Sequence, residues 1–136
     1  MLLKVAINGR RMLAEHPAIP ITPSQQAHQA AIAIAAGAGA IHVHPRDSMG
    51  WESLADIDVA ATLDSIRAAC PGIPIGVSTG AWIVPETGRR FALIKQWKVL
   101  PDQQTENARG LCDCRRAFAS PTCQTLKQQL SFRAGR

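Results

Sequence analysis

Three short apolar runs, each closed by turn-forming residues, constrain this chain more than any other feature. They cover residues 2–7, 40–44 and 73–77, and are closed by Asn8-Gly9, by Pro45, and by Ser78-Thr79-Gly80. Runs of this length with such boundaries read as β-strands. The segments between them have a different period. Ala27, Ala30, Ala31, Ile34 and Ala35 recur at helical spacing, and so do Val59, Ala60, Leu63, Ile66 and Ala69. A third helix is expected over about 87–97, burying Phe91, Leu93 and Ile94. Strands alternating with helices imply parallel strands joined by crossover helices. The nearly continuous apolar strands imply burial on both faces.

Local signals mark the helix ends. Thr22 is an N-cap residue, Pro23 falls at the first helical position, and Gln25 completes a capping box. Gly37 suits the C′ position, where a left-handed backbone costs glycine little. Asp56 is the expected cap of the second helix, and Pro71-Gly72 its stop.

Residues 103–136 are expected to form an irregular or disordered tail to a domain spanning 1–102. From 101 onward there is no Ile and no Val, while Gln, Arg and Cys rise together. This abrupt loss of β-branched residues suggests a frameshifted or misjoined end. The net charge of +5 is unevenly placed: nine basic and seven acidic residues precede position 101, and six and three follow. No basic run with interleaved aromatics is present, so nucleic acid is not an expected partner. The longest apolar run, 30–41, is too short to cross a bilayer. With no secretory signal at the start, a cytoplasmic protein without a membrane partner is expected. By the same reasoning the four cysteines do not form a disulfide framework.

The chemistry-bearing stretch is AGAGAIHVHPRD, residues 36–47. On a strand, His42 and His44 share one face while Val43 points to the other. Two imidazoles at a strand end are half of a metal site, or two histidines hydrogen-bonded to backbone at a loop mouth. Asp47 and Glu52 become further ligand candidates only if the following loop folds back. Arg46-Asp47 reads as an ion pair shaping that loop, with anionic substrate binding as the alternative. Ser78, Thr79 and Gly80 form either an anion-holding turn or an ordinary one. Gly37-Ala38-Gly39 follows a helix and precedes a strand, the reverse of a dinucleotide fingerprint. Cys112, Cys114 and Cys123 match no standard zinc spacing.

Several blocks together resemble the N-terminal part of the β-keto acid cleavage enzymes, the family of 3-keto-5-aminohexanoate cleavage enzyme. They are VAINGR, IPITPSQQAHQA, AGAGAIHVHPRD, IRAACPG and VSTGAWIVP, and they cover residues 1 to about 102. The resemblance implies an α/β fold, a partial (β/α)8 TIM barrel of about three βα units. It implies a divalent metal, usually zinc, with His42 and His44 as ligands and with Ser78, Thr79 and Gly80 binding substrate. The implied activity is an acyl transfer in which a β-keto acid and acetyl-CoA give acetoacetate and a new acyl-CoA. The metal would act as a Lewis acid toward the keto oxygen, and an enolate would attack the thioester before a retro-Claisen step. Some members carry a Glu where this chain has Arg11; Glu15 lies further along and does not replace it. The family's third metal ligand, a Glu, and its Asp/Arg base pair come from late strands. A full barrel takes roughly 250 residues. The expectation is therefore a truncated chain, inactive alone, with a homo-oligomer open only to the full-length protein. Two rivals remain: a barrel-type metal-dependent hydrolase, and a small non-enzymatic metal-binding or interaction module.

Overall fold

The structure, a computed structural model, describes residues 3–105. Strands β1 (Lys4–Ala6), β2 (Ala40–Val43), β3 (Ile75–Ser78) and β4 (Gln103–Thr105) alternate with helices α1 (Pro23–Ala35), α2 (Asp56–Ala69) and α3 (Thr87–Lys95). All strand pairs are parallel, and the order in the sheet is the order in the sequence, β1-β2-β3-β4. Among the described residues the sheet does not reverse its winding, which is compatible with an arc of a (β/α)8 barrel. The register sets Ala6 beside His42, His42 beside Gly76, and Gly76 beside Gln103.

The boundaries of α1 follow its local chemistry. Thr22 Oγ1 accepts from the Gln25 N–H at 3.2 Å, and Gln25 Oε1 accepts from the Thr22 N–H at 3.0 Å. At the other end Gly37, with φ +101°, donates to the Ile34 carbonyl while Ala38 donates to that of Ala33. That bond pair is a Schellman motif, and it requires the left-handed residue that glycine supplies. Asp56 departs from expectation. It is the first helical residue of α2, after the N-cap Ala55, which has no side-chain cap. Its carboxylate instead accepts from the Lys98 N–H at 2.7 Å, tying the start of α2 to the segment after α3. With Asp58 it places negative charge at the positive end of the helix dipole.

A single apolar cluster joins Ala27 and Ala30 of α1, Ile41 and Val43 of β2, Val59, Leu63 and Ile66 of α2, and Ile75 and Val77 of β3. Leu93 and Ile94 of α3 pack against it half-buried, and Trp97, past the helix end, turns into it. The helical stripes are narrower than their sequence spacing suggests: Ala35 and Ala69 are exposed, and no residue of α3 is fully buried. Burial on both faces holds for β3, buried at every position, and for β2 apart from the half-buried His42, but not for β1 at the sheet edge. Strand side chains alternate, so Lys4, Ala6, His42, Gly76 and Gln103 lie opposite the apolar cluster. Lys4 and Ala6 are exposed, and Lys4 Nζ donates to Gln103 Oε1 at 2.9 Å across the sheet. This side of the sheet is polar, which suits a site rather than a second core layer.

Where the irregular tail was expected to begin, β4 adds a fourth parallel strand. Asp102 anchors it: its N–H donates to the Ile75 carbonyl and its carboxylate accepts from the Ile75 N–H, both at 2.9 Å. The remainder of the tail, with Cys112, Cys114 and Cys123, lies outside the described residues. Among the described residues no helix is long and apolar enough to cross a membrane.

Candidate functional site

His44 lies one residue beyond β2, yet its backbone is fixed. The Asn8 side chain accepts from the His44 N–H at 2.9 Å and donates to the His44 carbonyl at 2.8 Å. Asn8 thus continues the β1–β2 ladder by one step with a side-chain amide. Gln26, fully buried on α1, donates to the same carbonyl at 3.4 Å and to that of Ile21 at 3.0 Å. Thr62 of α2 donates to Gln26 Oε1 at 3.0 Å, so this buried amide has partners at both ends. The helices therefore set the height of the strand end as well as covering the sheet.

The two imidazoles lie together, with ring centroids 5.1 Å apart and planes at 89°. His42 Nδ1 is buried and has no hydrogen-bond partner. Burial, and after it the His44 ring and the Lys4 ammonium, pull His42 from its ordinary 6.5 to about 4. The ring is therefore neutral at neutral pH and keeps a lone pair. Gly76 lies against the same group: a Cβ there would be 3.0 Å from Lys4 Nζ and 3.4 Å from His42 Nδ1. Lys4, exposed as a residue, is partly desolvated on this side, and that lowers its pKa.

The loop after β2 does fold back. Arg46 and Glu52 form an antiparallel bridge, and Asp47 Oδ1 accepts from the Met49 and Trp51 N–H groups at 2.9 and 3.0 Å. Gly50, with φ +85°, supplies the left-handed turn. Arg46 and Asp47 shape the loop separately rather than as an ion pair. Arg46 is buried, and its Nη2 donates to the carbonyls of Gly9 and Arg11 at 2.6 and 3.0 Å while Nη1 donates to that of Gly50 at 3.3 Å. The folded loop brings Glu52 onto His44, where its Oε1 pairs with Nδ1. Glu52 Oε2 accepts from Trp82 Nε1 at 2.9 Å. Burial alone would raise the Glu52 carboxyl. The His44 hydrogen bond and charge, the indole N–H and the Arg46 charge outweigh it and hold the group below its usual range.

Ser78, Thr79 and Gly80 follow at the end of the neighbouring strand, all buried. Gly80 has a steric duty. A Cβ there would fall 2.3 to 2.5 Å from three atoms of the Trp82 ring. That ring stacks on His44 with centroids 6.4 Å apart and planes at 23°, and the Arg10 guanidinium lies 4.6 Å from its centroid. Gly80→Ala is expected to expel the indole and to cost about 1–3 kcal/mol, the usual range for overpacking. The Trp82 indole N–H resonance, followed by NMR beside urea denaturation, reports both effects; an unmoved resonance would contradict the packing.

The spacing of His42 and His44 signalled their pairing. Glu52 carried a conditional signal through the loop. Asn8, read only as a turn residue, and Trp82, read only as loop, carried none, because their partners are 36 and 30 residues away.

The donor set suits part of a divalent metal site. His42 offers an unpaired buried nitrogen. His44, with Nδ1 engaged by a carboxylate, offers Nε2 in the arrangement that orients metal-bound histidines. Among the described residues no three His, Cys, Asp or Glu side chains are placed to hold a metal ion.

Comparison with known proteins decides the family. The family model described as beta-keto acid cleavage enzyme matches residues 1–128 of the 136. The chain belongs to the β-keto acid cleavage enzyme family. Among curated relatives it is 35% identical over 81 residues to 3-keto-5-aminohexanoate cleavage enzyme of Fusobacterium nucleatum subsp. nucleatum, covering 59% of this chain and 30% of that protein. It is 38% identical over 80 residues to 3-oxoadipate:acetyl-CoA acetyltransferase of Cupriavidus necator, covering 58% and 28%. The 3-keto-5-aminohexanoate cleavage enzyme of Acetoanaerobium sticklandii is 33% identical over 81 residues, covering 59% and 30%. The chain thus spans less than a third of the length of the curated relatives it matches.

Proposed function

We propose that this chain carries the zinc-binding half-site of an acyltransferase that cleaves a β-keto acid with acetyl-CoA, giving acetoacetate and an acyl-CoA. The observation that carries the reading is the pair of imidazoles 5.1 Å apart at the end of β2. The family match supports the reaction class, and one relative is named for acetyl-CoA as its acyl partner. Family membership also favours acyl transfer over metal-dependent hydrolysis or a non-enzymatic module.

In this reading His42 and His44 hold a zinc ion, which supplies Lewis acidity toward the keto oxygen of the substrate. The chain's own residues do the rest of the positioning. The lowered pKa of His42 keeps its lone pair available. Ser78 and Thr79, at the end of β3, present polar groups on the next strand, where the carboxylate of a β-keto acid would sit. Trp82 and Gly80 form an apolar wall beside them. A (β/α)8 barrel, closed by strands other than β1 to β4, would bring a third ligand and a general base to the same mouth.

Because the described residues supply two imidazoles and no third ligand, the chain is expected to bind zinc weakly and to form no acetoacetate alone. The test is incubation of the purified chain with zinc, acetyl-CoA and either 3-oxoadipate or 3-keto-5-aminohexanoate, with acetoacetate measured directly. Robust acetoacetate formation would show that the chain needs no further groups. The substrate half is tested by titrating the zinc-loaded chain with each β-keto acid. Binding that survives Ser78→Ala and Thr79→Val together would contradict the assignment of that turn.

A further inference from the structure

The geometry points to Glu52 as the residue that positions His44, holding its imidazole as the Nδ1–H tautomer with Nε2 left as the open donor. This rests on the half-site proposed above and adds a residue to it. Glu52 lies eight positions past His44, on the far side of a tight loop, and its place there is enforced. The Arg46–Glu52 bridge, the two N–H groups on Asp47 and the left-handed Gly50 fix the loop's return.

Both carboxylate oxygens are engaged. One pairs with His44 Nδ1 and the other accepts from Trp82 Nε1. A carboxylate offers only lone pairs at its two oxygens, so it accepts hydrogen bonds at both. Against such an oxygen Nδ1 is the ring nitrogen placed to donate, which leaves Nε2 as the open donor. The indole is held in turn by the absence of a side chain at Gly80, where a Cβ would overlap it. Glu52 is thus occupied at both ends and does not act as a ligand itself. It is a positioning residue, and Trp82 sets its angle.

The opposite assignment, Glu52 as a direct ligand, predicts different variants. A carboxamide still accepts a hydrogen bond from Nδ1–H through its oxygen, but is a poor substitute for a ligating carboxylate.

The test uses the full 136-residue chain and two measurements. In the metal-free chain, long-range 15N–1H NMR correlations of the His44 ring identify which nitrogen bears the proton. Nδ1–H is expected in the wild type, and a mixture or the Nε2–H form in Glu52→Ala. Zinc titration is then compared across variants. Glu52→Ala is expected to lose roughly 10- to 100-fold in affinity, as removal of such partners does. Glu52→Gln should lose less, and Asp64→Ala, on the exposed side of α2, should lose nothing. Circular dichroism confirms that each variant is folded.

An Nε2–H tautomer in the wild type would overturn the inference. So would Glu52→Ala with unchanged zinc affinity, or Glu52→Gln as damaging as Glu52→Ala. Failure of the half-site reading looks different. The wild type would show no zinc isotherm, while the tautomer of the metal-free ring would still decide the role of Glu52.

Discussion

Ile41→Ala is expected to destabilise the folded chain by about 2–5 kcal/mol, the range for removing a buried branched side chain from a packed interior. Ile41 is fully buried at the centre of β2, paired with Val5 on one side and Ile75 on the other. Its side chain enters the cluster built from α1, α2 and the sheet. Truncation would remove contacts to each of these at once, and neighbours fixed by parallel pairing cannot close over the gap. A small domain is stable by only about 5–15 kcal/mol, so one such cavity consumes a large share. Urea denaturation gives the difference. A loss under about 1 kcal/mol would mean that the site relaxes in a way this packing does not allow. The effect reaches the site as well, because Ile41 directly precedes His42 and sets the pleat that turns both imidazoles to one side.

The second large effect is expected at Arg46. Replacing it with alanine removes one buried guanidinium that holds three carbonyls on two loops, those of Gly9, Arg11 and Gly50. Burial lowers the pKa of this guanidinium, and the charges of Glu52 and Asp47 partly restore it. Hydrogen bonds from charged donors contribute roughly 1.5–3 kcal/mol each, but the freed carbonyls regain some water, so a net cost of about 3 kcal/mol is expected. Arg46→Lys should recover only part of this, because an ammonium cannot reproduce the planar fork. Hydrogen exchange at the Met49 and Trp51 amides should rise in Arg46→Ala, since the loop that carries them is pinned from beneath by this side chain. Unchanged stability and exchange in both variants would contradict the role assigned to Arg46.

These two residues also show which parts of the molecule were legible in the sequence. Ile41 lies in a run whose composition announces a buried strand. Thr22, Pro23, Gln25 and Gly37 mark the ends of α1 through contacts within a few residues, and those contacts form. Arg46 was legible only as a loop-shaping residue, because its partners at Gly9 and Arg11 are more than thirty positions away. Gln26 shows the same limit. It is one of several polar residues on α1, and its burial makes sense only once Thr62 and the His44 carbonyl are beside it. Asp56 misled because a carboxylate at a helix start can cap or can occupy the first turn, and the Lys98 N–H decides between them from 42 residues away. The short β4 was hidden by composition. Gln103 and Gln104 have low strand propensity, and pairing with β3 together with the Asp102 anchor supplies what the residues lack.

The site was half legible for a related reason. A two-residue spacing on a strand predicts neighbours on one side, and His42 and His44 are neighbours. The groups that tune them are not periodic with them. Gly76 lies beside His42 in the sheet register and Lys4 reaches toward it from two residues back on β1, and Glu52 and Trp82 reach His44 through a folded loop and a glycine with no room for a side chain.

The proposed zinc site at His42 and His44 is open to direct measurement. Zinc titration of the full chain by isothermal calorimetry, beside His42→Ala and His44→Ala, tests it most directly. The account predicts weak, saturable binding in the wild type that disappears in both variants. An isotherm that is the same in all three proteins, or one lost only when Cys112, Cys114 and Cys123 are replaced, would contradict it.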